Sequence, residues 1–362
     1  MLSFRAKGWR WKNREVYSTY SERFLRRSPS RGRKLPIMTQ GNFVKRSIYL
    51  VGAGALGIRH LEGLLKVRTP LRITVVDRSE DALTRARAAA EHTGAHTVEF
   101  AAETPIGDAD LSIIATTSRH RADAVRTLLS RSNVAALLLE KILFTQEDEY
   151  AEIGALLEKK NIPAWVNCPL RLMPLRREMR EVVSEKSFSL HFQGGVRHGL
   201  MTNIIHYADY ACYLAGNSDF SVDTSLLAPR MMESKRSGYK EMTGTIVLTF
   251  SNGTRTMCTS LQHERGRRTI LSGPQIRAVF EEPKGVAMLS RPENDWRWSE
   301  EPAPIVFQSA MTGPLVEEIL ATGRCGLPMY NESAKVHLNI LTSIRSFLET
   351  HGHVSDVDFP FT

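Results

Sequence analysis

Between residues 47 and 167 the apolar positions fall into short runs, and helix-length amphipathic stretches separate them. The runs predict strands at Ser47–Val51, Arg72–Val76, Thr97–Phe100, Leu111–Ala115, Ala135–Leu139 and Ala164–Asn167. Helices are predicted between them at Ala55–Lys66, Glu80–His92, His120–Ser130 and Gln146–Lys159. Alternation of strand and helix is typical of βαβ units. The pattern therefore predicts an α/β fold with a doubly wound, parallel Rossmann sheet.

After residue 167 the apolar pattern changes to longer strands joined by tight turns such as Ser251-Asn252-Gly253. Strands are predicted at Ser187–Gln193, Gly244–Phe250, Arg255–Leu261, Thr269–Ser272 and Ile276–Glu281. Helices are predicted at Asn203–Leu214, Ser309–Ala321 and Asn331–Thr350. This pattern predicts an α+β domain with a mainly antiparallel, open sheet, and a domain boundary near residue 166.

The chain is thus divided into four segments. Residues 1–38 form a basic extension that is disordered or not native, 39–166 a Rossmann domain that binds NAD(P), 167–330 a substrate and oligomerisation domain, and 331–362 a C-terminal helix and tail. With 362 residues, of which 42% are hydrophobic and 24% charged, the chain is long enough for about two globular domains.

The formal net charge of +9 is local. Residues 1–37 hold eleven Lys or Arg and two acids, so this segment alone carries the excess. The segment is interpreted as a disordered tail, an organelle-targeting segment, or residues upstream of a natural start at Met38. Because the rest of the chain is neutral, no nucleic-acid partner is expected.

No run of about 18 apolar residues is present, so the sequence predicts a soluble protein without a membrane partner. The four cysteines, Cys168, Cys212, Cys258 and Cys325, lie far apart and form no C-x-x-C pair. They favour free thiols in a reducing cytoplasm, with neither a disulfide framework nor a metal site.

A glycine-rich motif, Gly52-Ala53-Gly54-Ala55-Leu56-Gly57, directly follows the first predicted strand and opens a predicted helix. In this context the first glycine permits a tight turn, the second lets the backbone approach a pyrophosphate, and the third lets helix and strand pack closely. The helix N-terminus presents N–H groups to the anion. The motif predicts a dinucleotide site.

The second predicted strand ends just before Asp77, about 20 residues beyond Gly57, where a carboxylate can bind the adenosine ribose. Asp77 favours NAD, because its charge opposes a 2′-phosphate. The neighbouring Arg78 can pair with such a phosphate, so NADP stays possible. The alternative interpretation is a glycine-rich turn in a fold that binds no nucleotide.

Further landmarks are the run Ile114–Thr117, the pair Glu140-Lys141, His206 with Asp209, Gln308-Ser309, Leu327-Pro328 and the long final helix. Together with the glycine motif they resemble the glucose–fructose oxidoreductase/inositol dehydrogenase family, often called Gfo/Idh/MocA. The resemblance covers nearly everything after Ser47. It implies cofactor contacts from Gly52, Gly54, Ala55, Leu56, Gly57, Asp77, Arg78, Thr116, Thr117, Glu140, Lys141 and Asn167.

The chain departs from the family pattern at three points. Ile142 replaces the proline of a Glu-Lys-Pro motif, which predicts a less rigid loop after Lys141. Thr202 stands where members carry an aspartate four residues before the catalytic histidine. His120 lies one residue too early in the usual A-T-P-x-x-x-H motif.

Lys141 and His206 are the predicted catalytic residues, and both are expected to face the nicotinamide in one cleft. A partly desolvated lysine at the carboxyl end of a parallel strand can bind the reacting oxygen and, with a lowered pKa, share in proton transfer. A histidine pKa of about 6.5 suits proton exchange near neutrality. The alternative for His206 is a histidine satisfied inside an apolar helix.

Four further residues are predicted to contact the substrate: Asn203, Thr202, Arg171 and Asp209. Asn203 shares a helix face with His206 and offers an amide. Asp209 either orients His206 or holds a helix contact, and Arg171 lines the cleft or lies on the surface. The basic run Arg265, Arg267 and Arg268 either grips a substrate anion or forms a solvated turn.

The resemblance implies an NAD(P)-dependent oxidoreductase that acts on a hydroxyl or keto group of a sugar, amino sugar, cyclitol or nucleotide-linked sugar. The alternative is a regulator on the same fold that senses NAD(P) or a sugar without turnover. Because an antiparallel sheet with one helical face needs cover on the other, a homodimer or homotetramer is expected.

Overall fold

Six short strands form a parallel sheet in the first part of the chain. The computed structural model describes residues 45–183, 186–262, 266–353 and 359–361, so the basic extension and Arg265 lie outside the described residues. In sheet order the strands are β3 (Thr97–Ala101), β2 (Leu71–Val76), β1 (Arg46–Val51), β5 (Leu111–Ile114), β7 (Leu137–Leu139) and β8 (Ala164–Val166). This order is that of the Rossmann fold, as the apolar runs predict.

Four helices connect these strands: α1 (Ala55–Leu64), α2 (Glu80–Ala89), α3 (Ser118–Arg131) and α4 (Glu147–Lys159). The central strands are apolar at nearly every position because helices cover both faces of the sheet. Ile48 and Leu50 point to one face and Tyr49 and Val51 to the other, and all four are buried. Ser79 caps α2 by accepting a hydrogen bond from the Ala82 N–H.

An eight-stranded sheet follows, and it is antiparallel except for one parallel pair, β9 with β14. In sheet order its strands are β10 (Phe220–Leu227), β13 (Gly244–Phe250), β14 (Arg255–Leu261), β9 (Ser189–Gly195), β15 (Arg267–Gly273), β16 (Ile276–Glu281), β17 (Val286–Ser290) and β18 (Trp298–Pro302). The predicted antiparallel sheet is confirmed.

Two small ribbons complete the strands: β4 (Gly107–Ala109) with β6 (Ser132–Val134), and β11 (Met232–Glu233) with β12 (Lys240–Glu241). The remaining helices are α5 (Pro174–Val183), α6 (Leu200–Ala215), α7 (Gln308–Thr322) and α8 (Tyr330–Thr350). Among the described helices, none combines the length and the hydropathy needed to cross a bilayer.

Residues 44–362 form one compact unit in which the last helices return to the first sheet. Helix α7 packs closely on α1, where a Cβ on Gly63 would lie 2.6 Å from the Thr312 Cβ and one on Gly313 would lie 3.0 Å from the Gly63 carbonyl oxygen. Helix α8 contacts α6 and strand β8. The two C-terminal helices thereby contact elements of both parts of the chain.

The second sheet has one buried face and one half-exposed face. On the half-exposed face, apolar residues lie in one cross-strand row on both sides of His191. They are Val247, Met257, Ile270, Val279 and Met288. An apolar row framed by polar rows is the kind of surface that a second sheet covers.

We propose, from the apolar composition of this row, that it forms the contact between protomers. The double substitution Ile270→Lys and Val279→Lys places two charges in the row and should shift a dimer or tetramer toward monomer in light scattering. Ile106→Lys is the control, since Ile106 is 82% exposed and lies elsewhere on the chain. A wild-type chain that is monomeric at micromolar concentration would contradict the proposal.

Candidate cofactor and substrate site

The three motif glycines occupy three different environments at the carboxyl end of β1. Gly52 has φ +101° and lies against strand β5, where a Cβ would be 2.7 Å from the Thr116 backbone nitrogen. A Cβ on Gly57 would lie 1.9 Å from the Gly52 carbonyl oxygen. A Cβ on Gly54 would meet nothing within 4 Å. Only Gly54 therefore borders open space that a side chain would fill.

Helix α1 begins directly after Gly54, and no side chain caps its N-terminus. Its first N–H groups point into the space above Gly54 and are available to an anion. The loop lies between β1 and β5, where the strand order reverses and ligands bind in open α/β sheets. This geometry fits the pyrophosphate of a dinucleotide.

Asp77 lies beside this loop at the end of β2. Its Oδ2 accepts a hydrogen bond from the Ala53 N–H at 2.7 Å, and its Oδ1 accepts one from the Ser79 N–H at 2.9 Å. Each carboxylate oxygen has a second lone pair for a ribose hydroxyl. The carboxylate is half-buried and the neighbouring Arg78 is exposed.

The open space at Gly54 leads to a first prediction. Gly54→Val should lower the NADH affinity by about 10- to 100-fold, because the side chain would keep an anion from charge-assisted hydrogen bonds worth about 1.5–3 kcal/mol. Its fold should persist, since φ −66° suits any residue. Gly57→Ala should lower the thermal midpoint, because its Cβ would collide with backbone. Calorimetry and thermal melts separate the two, and equal NADH affinity in Gly54→Val would contradict the assignment.

Asp77 gives a second prediction. Asp77→Ala should weaken NAD more than NADP, because the carboxylate binds an unmodified ribose and repels a 2′-phosphate. Arg78→Ala is the matched control and should weaken NADP more than NAD. Titration of both cofactors into both variants checks this, and equal losses in Asp77→Ala would show that Asp77 does not select between them.

Thr116 and Thr117 lie between β5 and helix α3. The Thr116 Oγ1 is buried without a hydrogen-bond partner among the described residues, and Thr117 is exposed at the N-cap of α3. Arg121, which is 2% exposed, donates to the carbonyls of Thr116, Ile142 and Leu143. This buried guanidinium links the ends of β5 and β7.

The segment after Lys141 is packed, although the Ile142 replacement predicts a less rigid loop. Ile142, Leu143 and Phe144 are all 0% exposed, and Arg121 binds two of their carbonyls. The Lys141–Ile142 peptide bond is cis. His120 is exposed on helix α3.

Glu140 is the centre of a buried hydrogen-bond network. It accepts hydrogen bonds from His60 Nε2 at 2.9 Å and from Asn167 Nδ2 at 2.5 Å. Asn167 also donates to Gln308 Oε1 at 2.8 Å. Burial raises the pKa of Glu140, but hydrogen bonds from His60 and Asn167 and the charge of Arg121 lower it to about 2. Glu140 is therefore negatively charged near neutral pH, and its charge acts on the neighbouring Lys141.

Lys141 is 8% exposed and extends from the end of β7 to helix α6. Its Nζ donates to the Thr202 carbonyl oxygen at 2.7 Å. Burial and the charge of Arg236 lower the pKa of Lys141 to about 8, although Glu140 opposes the shift. This lysine therefore titrates close to neutral pH.

His206 lies one turn beyond Thr202 on the same face of α6, so the structure brings it beside Lys141. Its Nδ1 is buried without a hydrogen-bond partner among the described residues. Burial and the Lys141 charge lower the pKa of His206 to about 3. His206 is therefore neutral at pH 7, because burial and the neighbouring Lys141 charge move its pKa away from the unperturbed value of about 6.5.

Glu241 is a site residue that the sequence does not reveal. The carboxylate is 3% exposed, and it accepts hydrogen bonds from the N–H groups of Met201 at 2.9 Å and Thr202 at 2.8 Å and from Thr202 Oγ1 at 2.5 Å. Gly199 makes room for it, since a Cβ there would lie 2.4 Å from Glu241 Oε1. Glu241 thus caps α6 and fixes the turn that holds Lys141.

Asn203 donates both amide hydrogens to backbone, one to the His198 carbonyl at 2.8 Å and one to the Gly199 carbonyl at 2.9 Å. The amide therefore holds the loop before α6 in place, and only its carbonyl oxygen can meet a substrate. Thr202 offers no free hydroxyl proton, since its Oγ1 bonds Glu241. Both residues lie at the start of α6, and their hydrogen bonds stabilise this helix start.

Arg171 and Asp209 bind each other, at 3.0 Å through Nε and 2.6 Å through Nη2. Their side chains are 7% and 3% exposed, and Arg171 also contacts Glu332 at 2.8 Å. The expected substrate contacts are therefore replaced by an internal ion pair. Of the two roles open to Asp209, the structure shows the helix contact.

A Rossmann sheet with its glycine loop is followed by an open, mainly antiparallel sheet, and this arrangement defines the fold. No protein-family model matches the chain, and no curated protein is significantly similar in sequence. The similarity of this chain to known proteins is therefore seen in solved structures.

Solved structures with this fold include biliverdin reductase from Synechocystis sp. PCC 6803 in complex with biliverdin and NADP⁺. Its sequence is 15% identical to this one, and the TM-score is 0.62. The superposition covers 82% of this chain and 98% of that chain. An oxidoreductase from Agrobacterium radiobacter in complex with NAD⁺ is 14% identical, with a TM-score of 0.61 and coverage of 82% and 94%.

The UDP-N-acetylglucosamine 3-dehydrogenase GnnA from Acidithiobacillus ferrooxidans is 13% identical, with a TM-score of 0.58 and coverage of 86% of this chain and 98% of that chain. At these identities the likeness shows the fold, and the neighbours are oxidoreductases that take NAD or NADP. Their substrates differ widely.

Proposed function

We propose that this protein is an NAD(P)-dependent oxidoreductase that interconverts a hydroxyl and a keto group on a sugar, amino sugar, cyclitol or nucleotide-linked sugar. The observation that carries the proposal is the contact of Lys141 Nζ with Thr202 on the helix that bears His206. This lysine, with a pKa of about 8, stands at the same sheet edge as the glycine loop.

The residues present fit a dinucleotide. Gly54 and the start of α1 would hold the pyrophosphate, and Gly52 and Gly57 would let the loop and the helix pack closely beside it. Asp77 would bind the adenosine ribose, and Thr116 Oγ1, which has no partner among the described residues, would bind a polar group nearby. The cofactor, when bound, supplies or accepts the hydride. NAD is favoured by the carboxylate of Asp77, and NADP stays possible through Arg78.

Lys141 handles the proton in this proposal. In the direction of oxidation, neutral Lys141 takes the proton from the substrate hydroxyl; in reduction, the ammonium form returns a proton to the forming alkoxide. His206 stays neutral and binds the same oxygen, the Thr202 carbonyl holds the lysine in place, and the Glu140 charge favours the ammonium form. The role of the base, which the sequence analysis gives to His206, is assigned here to Lys141, because the pKa of Lys141 is lowered to about 8 and that of His206 to about 3.

The sugar class rests on the resemblance and is supported by GnnA, which acts on UDP-N-acetylglucosamine. Biliverdin reductase shares the fold and acts on a different class of molecule, so the fold alone does not select the substrate. The polar groups of Lys141, Asn203 and His206 lie close together at the start of α6, and such groups suit a molecule rich in hydroxyl groups.

The test is a turnover screen. The purified chain is incubated with NAD⁺ or NADP⁺ and a panel of hexoses, amino sugars, cyclitols and UDP-sugars, and the nicotinamide absorbance is followed. The proposal expects cofactor reduction with at least one member, and Lys141→Met serves as the inactive control. Cofactor binding without turnover on any member would favour the sensing regulator instead.

A further inference from the structure

The two described arginines of the basic run lie on opposite faces of β15. Arg267 pairs with Gly194 and Arg268 with Gln193, so their side chains alternate across the sheet. Arg267 shares its face with Thr269 and Leu271, which are both buried under the helices. Arg268 is on the half-exposed face and pairs with Glu281 at 3.4 Å. Only Arg267 is directed toward helix α6.

Arg267 shares its carboxylate partner with a second arginine. Glu282 binds Arg176 at 2.7 Å through Oε1, and its Oε2 lies 3.5 Å from Arg267 Nη1. Arg176 is buried with Glu282, whereas the Arg267 side chain is 35% exposed. Among the described residues, one carboxylate thus faces two guanidinium groups. The charge of Arg267 is only partly neutralised.

A polar chain leads from Arg267 to helix α6. Arg267 Nη1 lies 3.5 Å from His198 Nδ1, and His198 Nε2 lies 2.5 Å from the Tyr207 hydroxyl. Burial and the positive charges of Arg267 and Lys235 lower the pKa of His198 to about 3. Because a guanidinium only donates, the proton of neutral His198 is on Nε2 and points at the Tyr207 oxygen. The Tyr207 O–H is then free to donate.

This chain adjoins the reaction site. His198 directly precedes the cap of α6, and Asn203 ties its carbonyl to the helix. Tyr207 follows His206 and stacks on Phe192, with ring centroids 4.1 Å apart. The chain of Arg267, His198 and Tyr207 therefore lies next to the start of α6 and to His206. Nothing in the proton chemistry of Lys141 and His206 uses these donors.

We propose that Arg267 and the Tyr207 hydroxyl, joined through His198, bind a negatively charged group on the substrate, a carboxylate or a phosphate. The inference rests on the proposed function and narrows it to anionic sugars, either sugar acids or nucleotide-linked sugars. Guanidinium groups bind both anions through paired N–H donors.

The test titrates the full chain, saturated with NADH, with D-glucuronate, uridine diphosphate and neutral D-glucose by calorimetry. At least one of the two anions should bind at least about tenfold more tightly than D-glucose, since hydrogen bonds to charged groups add about 1.5–3 kcal/mol. Binding of D-glucuronate alone identifies a sugar acid, and binding of uridine diphosphate alone identifies a nucleotide-linked sugar.

Arg267→Gln should then lose about 10- to 100-fold in affinity for that anion, and Arg267→Lys, which keeps the charge, should lose less. Arg268→Gln is the matched control, because Arg268 lies on the same strand but on the opposite face of the sheet. This variant should bind the anion with wild-type affinity. Unchanged anion affinity in Arg267→Gln, equal losses in Arg268→Gln, or no preference for either anion over D-glucose would overturn the inference. Failure of NADH to bind, seen before any sugar is added, would instead show that the proposed function fails.

Discussion

Lys141→Met and His206→Ala are each expected to lower kcat by about 10²- to 10⁴-fold on a good substrate, the usual range for a positioned acid–base group. NADH affinity should change little, since the glycine loop and Asp77 lie elsewhere. The double variant should fall about as far as the worse single variant, because groups that act on one oxygen work as a unit. His120→Ala, at an exposed histidine of α3, is the control and should turn over normally.

The dependence of the rate on pH distinguishes Lys141 from His206 as the group that transfers the proton. Because the pKa of Lys141 is lowered to about 8, its neutral form predominates above that pH. The rate of alcohol oxidation should therefore rise with pH through about 8 and level off above it, and the rate of ketone reduction should be level below about pH 8 and fall as the pH passes through it. Initial rates in both directions check this. Near-normal turnover by Lys141→Met, or a flat profile in wild type, would contradict the assignment.

Asp209→Ala is expected to destabilise the fold by about 3 kcal/mol, the low end of the range for leaving a buried charge without its partner. The low end applies because Glu332 still faces Arg171 in the variant. Urea denaturation measures the change as a lower midpoint at similar slope. Glu332→Ala is the control and should cost less than about 1 kcal/mol, since that carboxylate is 41% exposed.

The same variant distinguishes packing from substrate contact. If Asp209 holds only Arg171, the folded fraction of Asp209→Ala should keep the wild-type KM. A variant with wild-type stability and a strongly raised KM would restore Asp209 as a substrate-binding residue.

Periodicity predicts the regular elements because burial repeats along them. Strands β1 and β2 are buried on both faces along most of their length and are mainly apolar, so the pattern predicts their ends to within one residue. The apolar pattern does not predict strands β10 and β18. The first alternates with polar residues and lies at one edge of its sheet, and the second, Trp298–Pro302, is polar and forms the other edge.

The chemistry of the site depends on contacts between distant segments, which periodicity does not contain. The glycine loop and Asp77 are local to one βαβ unit, and their spacing suffices to predict them. Glu241 reaches Thr202 only because the β11–β12 ribbon folds onto α6. The ion pair of Arg171 with Asp209 and the lowered pKa of His206 likewise follow from burial that tertiary packing creates.

The most direct measurement of the central claim is a calorimetric titration of the purified chain with NADH and with NADPH. The account predicts one-to-one binding of at least one of them, with NADH preferred because Asp77 faces the ribose position, and with weaker binding in Gly54→Val. A folded chain that binds neither cofactor would contradict the account.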